Sequence, residues 1–309
     1  MSASIHAPQK PSARPGGILG GALGSALLFS IPFLGLASGL PLIVQRLRRG
    51  LGSAVMASML AAALLATTWR PYHVLLFLAI LVAPSLLMAE ALARGRGLVR
   101  GCGWAFALLL AELAPALLFA GPSLADAWFF QPLDFMVSPQ FVEGMRARGL
   151  PGQGPEDWLQ QVQATRHALE TVYPGAFVVL AGLLVLVNAV LLRTYLARRD
   201  PGWLDGGEFE TIRWPLGLVV AFVASGLSVL APPLQPAAYN VLLVLAFFFF
   251  LQGLAVLAFF AHRLAGPRFL RPLAVTLVLL WAPQLLALLG LFDAFFDFRK
   301  WAEPPKQEA

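Results

Sequence analysis

Charged residues are scarce in this chain of 309 residues: Asp, Glu, Lys and Arg make up 12% of it, about half the share in an ordinary soluble domain. Hydrophobic residues make up 59%, a surplus that a soluble core cannot absorb. Apolar runs of roughly 20 residues, enough to span about 30 Å of hydrocarbon, recur along the whole length. The composition therefore predicts an all-α fold, a polytopic transmembrane helical bundle embedded in a lipid bilayer.

Cysteine and histidine are also rare, with one cysteine, Cys102, and four histidines. A single cysteine excludes an internal disulfide and any site with several cysteine ligands. His73 and His262 lie at segment ends without companion ligands, so we expect no metal site. Phosphate-binding glycine loops and nucleophile motifs are missing as well. We therefore expect no catalytic residues, no cofactor and no enzymatic activity.

The net charge of +6 would suit nucleic-acid binding in a soluble chain. Here most arginines lie in short loops between apolar runs, where they set the orientation of the chain in the membrane, so we expect no nucleic-acid partner. The arginine-rich loops at 46–50, 94–101, 197–213 and 263–271 are predicted to be cytoplasmic. The predicted location is the bacterial cytoplasmic (inner) membrane, crossed several times.

Eight apolar segments define the predicted organisation, and the first and last contain prolines that can break them, Pro32 and Pro283. The segments are 17–45, 51–69, 72–93, 102–120, 172–196, 214–232, 238–262 and 272–296. The predicted parts are a polar N-terminal tail (1–16), a first transmembrane group (17–120), an extracytoplasmic loop (121–171), a second transmembrane group (172–298) and a polar C-terminal tail (299–309).

The loop at 121–171 is predicted to contain one short helix, Pro155 to Glu170, because a proline suits the first turn and Glu156 and Asp157 favour the positive end of the helix dipole. The loop is either a lid over an outward cavity or an ordered cap without a ligand.

Small residues recur every four positions in the first segment, including Gly20 and Gly24, and Ala22 and Ala26. Such spacing lets two membrane helices approach closely. We predict a helix-docking face there, used either within the chain or by a partner subunit.

Polar side chains inside apolar runs are the candidates for a binding site. Glu112 lies mid-segment, where an ionised carboxylate is costly, so it is either functional or a protonated structural residue. Glu90 precedes Arg94 by four residues and is predicted to form an ion pair near the interface. The remaining candidates for solute binding or interhelical hydrogen bonds are Asn240, Gln252, Gln284 and Asp293; Asn188 is expected to be structural.

Two acids near the end, Asp293 and Asp297, would share one face of a continuous helix and repel each other. A cation supplied by Arg299, Lys300 or an arginine elsewhere would make the pair favourable. Aromatic neighbours hold this stretch against the membrane, where unpaired charge is expensive. We therefore predict a paired structural motif of Asp293, Asp297 and Arg299 that anchors the last helix.

The terminal stretch Leu289–Lys300, with support from Leu251–Val256 and Phe209–Pro215, resembles the signature of the YybS-like family of bacterial polytopic membrane proteins of unknown function. The resemblance implies distant kinship with the substrate-binding (S) components of energy-coupling factor vitamin transporters. In those proteins, small residues of the first helix dock a membrane coupling subunit, which corresponds to Ala22 and Ala26 here. The long loop after residue 120 departs from their compact six-helix pattern.

Two functional hypotheses follow. The first is S-component-like binding or transport of a small solute, with Glu112 and the polar residues of the last segments lining the site. The second is a membrane scaffold or assembly partner in which each polar residue bonds a neighbour. The first predicts Glu112, Gln252 and Asp293 around one wet cavity, and the second predicts separate partners.

Overall fold

The computed structural model describes residues 15–31, 34–148, 155–204, 209–263 and 282–301. Within these ranges every regular element is helical, as the composition predicts. The predicted tails, the break at Pro32, most of the 263–271 loop and the first part of the last segment lie wholly or largely outside the described residues.

Thirteen α-helices occur in the described ranges. In chain order they are α1 (Pro15–Ser30), α2 (Leu40–Arg49), α3 (Leu51–Ala66), α4 (Pro71–Leu76), α5 (Ala83–Ala93), α6 (Leu98–Ala125), α7 (Gln131–Met136), α8 (Pro139–Arg148), α9 (Pro155–Arg199), α10 (Leu216–Ser228), α11 (Gln235–Arg263), α12 (Pro283–Phe296) and α13 (Phe298–Trp301). They belong to two compact units: unit 1 is residues 1–112 and 180–208, and unit 2 is residues 113–179 and 209–309.

Four helical stretches are long and apolar enough to cross a membrane: Pro71–Ala93, Leu98–Met136, Glu156–Arg199 and Pro232–Ala261. Four more apolar helices, in α1, α3, α10 and α12, have only 10–17 residues. That is short of the roughly 20 residues that about 30 Å of hydrocarbon requires. The described chain is thus a multi-pass helical membrane protein, and the count of eight spans stays a prediction.

In unit 1 the first apolar segment is divided into two helices, α1 and α2, with a 3₁₀ turn at Leu34–Ala37 between them. The Ser25 hydroxyl donates to the carbonyl of Ser38 at 2.7 Å and so ties α1 to this turn. We call the turn and its flanks, Leu34–Gly39, the helix break.

Small side chains bring α1 against α3, where Ala22, Ala57 and Ala61 are fully buried. Arg46 of α2 donates from its Nε to the Glu90 Oε2 at 2.7 Å. Arg94 also pairs with Glu90, at 2.8 Å, which confirms the predicted ion pair.

A π-helical turn, Phe77–Val82, joins α4 to α5 within one span. Pro84 follows it and has no N–H to donate to the carbonyl of Ile80, so the regular i to i−4 pattern cannot pass this point. The wider turn accommodates that interruption.

The chain after Ala120 differs from the predicted loop. Helix α6 continues to Ala125 through a kink at Ala120, whose φ is −135° and ψ is 16°. Pro122 suits the first turn of the resumed helix. A π turn (Asp126–Phe130) and α7 and α8 follow, so the segment expected to be mainly loop is largely helical.

The predicted helix at 155–170 begins at Pro155, as expected, but its predicted end at Glu170 is wrong. Helix α9 runs for 45 residues to Arg199 and includes Pro174 in its interior. Near the proline, the side chain of Asn240 takes the place of a backbone hydrogen bond of the helix. The Asn240 Oδ1 accepts the Gly175 N–H at 2.6 Å, and the Asn240 Nδ2 donates to the Thr171 carbonyl at 2.8 Å. These are the two groups that would pair with each other in a regular helix.

Helices α11 and α12 of unit 2 touch backbone to backbone. A Cβ built on Gly253 would lie 1.8 Å from the Leu286 carbonyl oxygen, and one built on Gly290 would lie 1.9 Å from that of Phe249. Only glycine fits at either position. This close approach lets Gln252, next to Gly253, reach Asp293, which lies about one turn after Gly290.

Candidate functional site

Gln252 and Asp293, two of the predicted site residues, meet between α11 and α12. The Gln252 Nε2 donates to the Asp293 Oδ2 at 2.8 Å. The same carboxylate oxygen accepts from the Arg299 Nη2 at 2.6 Å. We call these three residues the terminal cluster. All are buried, Arg299 being 2% and Asp293 3% exposed.

Arg299 connects the cluster to the chain that leads into α10. Its Nη1 donates to the carbonyl of Glu210 and its Nη2 to that of Ile212, the latter at 2.8 Å. The Glu210 carbonyl belongs to the 3₁₀ turn Phe209–Thr211, and the Ile212 carbonyl follows it. One guanidinium therefore satisfies backbone acceptors and a carboxylate at once, which its planar fork of donors permits.

Gln252 makes a second link to the same stretch. Its Oε1 accepts the backbone N–H of Trp214 at 3.0 Å. The Trp214 indole N–H donates to the Phe248 carbonyl at 2.8 Å. Both ends of the Gln252 amide are thus used, which fixes its orientation.

Asp297 is separate from the terminal cluster. Helix α12 ends at Phe296, and Asp297 adopts a left-handed conformation with φ 49°, which aspartate tolerates better than most residues. The two acids therefore do not share one helix face, and each has its own cations. The Asp297 carboxylate pairs with Arg213 at 2.5 Å and Lys300 at 2.9 Å.

The pKa of Asp297 is the net result of opposing effects. Partial burial raises it, but hydrogen bonds from Lys300 and Arg213, with their positive charge, outweigh burial and hold the pKa below its usual range. The carboxylate is ionised at neutral pH. Its ion pairs with Arg213 and Lys300 hold the turn that follows α12 in place.

Chemically, the terminal cluster is a neutral, closely bonded set. One carboxylate balances one guanidinium, and the amide bonds on both sides. Within the cluster, the Asp293 Oδ1 and the Arg299 Nε are buried and have no hydrogen-bond partner among the described residues. Among the described residues no group of three or more His, Cys, Asp or Glu side chains could hold a metal ion. The arrangement can join helices, but it presents no nucleophile poised beside a base.

A family model described as "Predicted membrane protein (DUF2232)" matches residues 22–294. The chain belongs to this family. The match includes Gln252 and Asp293 but stops before Asp297 and Arg299. No curated protein and no solved structure matches the chain.

The other predicted binding residues of this DUF2232 chain do not join the terminal cluster. Asn240 bonds the carbonyl of Pro236 on its own helix in addition to its partners at the proline of α9. Gln284 is exposed near the start of α12. Glu112 falls at the end of the first part of unit 1, where it is partly buried with an Oε2 that has no partner among the described residues.

The predicted helix-docking residues lie on two different faces of α1, one buried and one more exposed. Ala22 and Ala26, 0% and 8% exposed, lie in the core of unit 1. Gly20 is exposed, and a Cβ there would meet nothing within 4 Å. A Cβ on Gly24 would only touch Pro41, at 3.5 Å. The face holding Ala22 and Ala26 is therefore occupied by the chain's own helices.

The sequence does not identify the partners individually. The Trp214 N–H bonds Gln252 although the sequence indicates no such bond, and Arg213 pairs with Asp297 as an arginine of another segment, a type of partner that the sequence leaves open. The contact of Trp214 with Gln252 spans 38 residues and that of Arg213 with Asp297 spans 84 residues, so both are tertiary contacts. The only local signal was a charged and an aromatic residue side by side at the entry to an apolar helix.

Proposed function

We propose that this protein is a non-catalytic scaffold or assembly partner in a bacterial cytoplasmic membrane, whose intramembrane polar residues hold its own helices together. The supporting observation is the terminal cluster. Gln252, Asp293 and Arg299 form a chain of hydrogen bonds that also includes the backbone before α10.

The amide of Asn240 supports the same proposal, because its hydrogen bonds in the described part of the chain run to backbone groups of α9 and α11. Asn240, Gln252 and Asp293 thus bond other parts of the chain itself, which is the pattern expected for a structural role. The arginine-rich loops support a cytoplasmic orientation for residues 46–50, 94–101 and 197–213.

The second candidate is S-component-like binding of a small solute, and Glu112 favours it. A carboxyl group in a membrane-spanning helix with a buried, unpartnered oxygen is a functional candidate. The burial of Ala22 and Ala26 counts against the coupling-subunit docking that the resemblance implies, because a partner helix could reach them only if α1 moved.

Small molecules extracted from purified wild-type and Glu112→Gln protein distinguish the two candidates. Glu112→Gln keeps shape while removing the ionisable group. The scaffold proposal predicts identical extracts, with no compound near one per chain that depends on Glu112. Native mass spectrometry should then show a hetero-oligomer of fixed stoichiometry.

A compound present in wild type, depleted in Glu112→Gln and accompanied by an unchanged unfolding temperature would overturn the scaffold proposal. Gln284→Ala is a control, because it alters an exposed polar residue on another helix without introducing a charge. It should leave both the extract and the unfolding temperature unchanged.

A further inference from the structure

Several helix ends of unit 1 meet at one face. Arg46 near the end of α2 donates to Glu90 near the end of α5 at 2.7 Å. Arg48 of α2 pairs at 2.9 Å with Asp200, the residue that follows α9. A short turn joins the end of α5 to the start of α6, so that helix start lies at the same face. We call residues 46–50, 94–100 and 198–200 the arginine face.

The arginine face has a large surplus of positive charge. Its three ranges hold three, three and two arginines, no lysine and, as their only acid, Asp200. Asp200 is paired with Arg48. The neighbouring Glu90 is also occupied, because it accepts from both Arg46 and Arg94. The acids that the structure places on and beside the face therefore neutralise only some of its arginines.

Four exposed arginines of the face form no ion pair with an acid in the described chain: Arg96, Arg100, Arg198 and Arg199. The Arg96 guanidinium lies over the ring of Trp104, with its Cζ 4.8 Å from the ring centroid. This cation–π contact does not use up the N–H donors of the guanidinium. A role in orienting the chain requires only charge. The N–H donors of these arginines are therefore available to a ligand.

Apolar surface begins directly beside these charges. Helix α3 starts after Gly50 of the face, and Leu51, Val55 and Met56 in its first turns are exposed. In a bilayer such side chains contact acyl chains. Trp104 is partly exposed, and tryptophan is enriched at the level of the lipid head groups. A ligand at the arginine face therefore meets guanidinium groups at one end and apolar surface at the other, which suits an amphiphile.

The chemistry of the face selects the class of amphiphile. Arginine presents a planar fork of donors that matches the oxygens of a phosphate group. Clusters of basic residues at the membrane surface attract anionic lipids, and each added arginine strengthens the attraction. A zwitterionic head group carries its own cation beside the phosphate and so gains less from the cluster. We propose that the arginine face binds the phosphate head groups of anionic phospholipids, with Arg96 and Arg100 beside the start of α6 as the principal ligands. The site does not depend on the scaffold role.

Equilibrium binding of radiolabelled dioleoyl phosphatidylglycerol to the delipidated full-length protein in neutral detergent tests the site. Unlabelled dioleoyl phosphatidylglycerol should displace the label at several-fold lower concentration than dioleoyl phosphatidylcholine, which has the same acyl chains but no net charge. Inorganic phosphate at the same ionic strength should not displace it, because phosphate lacks the apolar part. The double variant Arg96→Gln with Arg100→Gln should weaken phosphatidylglycerol binding several-fold and leave phosphatidylcholine binding unchanged.

Arg70→Gln is the matched control for Arg100→Gln. Arg70 is an exposed arginine of unit 1 that follows the other end of α3, so its loss should leave both affinities as in wild type. Arg100→Gln alone should already weaken phosphatidylglycerol binding. Arg100→Lys keeps the charge without the fork of donors and should retain only part of the preference for phosphatidylglycerol.

Wild-type protein alone can overturn the proposal, because equal affinities for the two lipids would show that the face does not recognise charge. Displacement of the label by inorganic phosphate would also overturn it, since the face would then take free phosphate rather than a lipid. Wild-type preference for phosphatidylglycerol in the folded double variant would exclude Arg96 and Arg100 as ligands. Equal losses in Arg70→Gln and Arg100→Gln would contradict a site at this face.

Discussion

Replacing Asp293 with asparagine isolates the charge of the terminal cluster from its shape. Asparagine fills the same volume and can still accept from Arg299, but it carries no charge. The Arg299 guanidinium, whose side chain is 2% exposed, would then have only neutral acceptors. Removing one member of a buried ion pair typically costs about 3–5 kcal/mol because the other charge stays buried.

The retained hydrogen bonds place the expected loss at the low end of that range, about 3 kcal/mol. Asp297→Asn is the matched control, since it removes the same charge from a site whose cations are exposed. Arg213 and Lys300 have side-chain exposures of 45% and 72%, so this pair should be worth at most about 1 kcal/mol.

Thermal unfolding of purified protein in detergent, followed by tryptophan fluorescence, measures the difference. Asp293→Asn should lower the midpoint by roughly 6 °C or more, taking about 2–4 °C per kcal/mol. Asp297→Asn should shift it by a few degrees at most. The double variant Asp293→Leu with Arg299→Met removes both charges and should be more stable than Asp293→Asn.

Equal midpoints for the two single asparagine variants would refute the reasoning, because they would mean that burial of Arg299 does not govern the energy of the pair. A double variant less stable than Asp293→Asn would show instead that the carbonyl bonds of Arg299 dominate.

Three other changes test the packing and charge. Gly253→Ala should destabilise unit 2 by about 1–3 kcal/mol or more through overpacking against backbone, whereas Gly226→Ala, with open space around it, should have little effect on the unfolding midpoint. Gly21→Leu should lower the yield of folded protein, because even a Cβ at this position would contact neighbouring side chains at 3.5 Å. A Leu at Gly20 would meet open space and should leave the yield unchanged, so equal yields for the two variants would contradict the assigned face. Because the folded-state pKa of Asp297 is depressed, the stability that it contributes is present above the unfolded pKa of about 4 and is lost as pH falls through the folded value. The unfolding midpoints of wild type and Asp297→Asn should therefore converge as the pH falls through and below this depressed folded-state pKa, and a constant difference would count against this assignment.

The helical fold of this chain and several of its local features can be predicted from the sequence alone. The apolar runs predict helices, Pro155 marks the start of α9, and the spacing of Glu90 and Arg94 predicts their ion pair. These features depend on residues within a few positions of one another. The end of α9 was predicted wrongly because its passage through Pro174 involves a side chain 65 residues away, that of Asn240.

The candidate site was predictable by residue type but not by partner. An aspartate and a glutamine in apolar runs require hydrogen bonds, so Asp293 and Gln252 stand out in the sequence. Which groups satisfy them depends on the glycine contact between α11 and α12 and on the carbonyls before α10, neither of which has a local pattern. Asn188 makes backbone hydrogen bonds of the kind that a structural role predicts, but one of its partners, Leu36, is 152 residues away and has no local pattern either.

The bonds of Arg299 also set an order of events during synthesis. Gln252 precedes Asp293 by 41 residues, which a ribosome takes about 2–8 s to add at about 5–20 residues per second. Throughout that interval the Gln252 amide has no carboxylate to bond, and the carbonyls of residues 210 and 212 have no guanidinium. A nascent chain arrested before residue 299 would therefore hold its tenth helix without the contacts that fix where that helix begins.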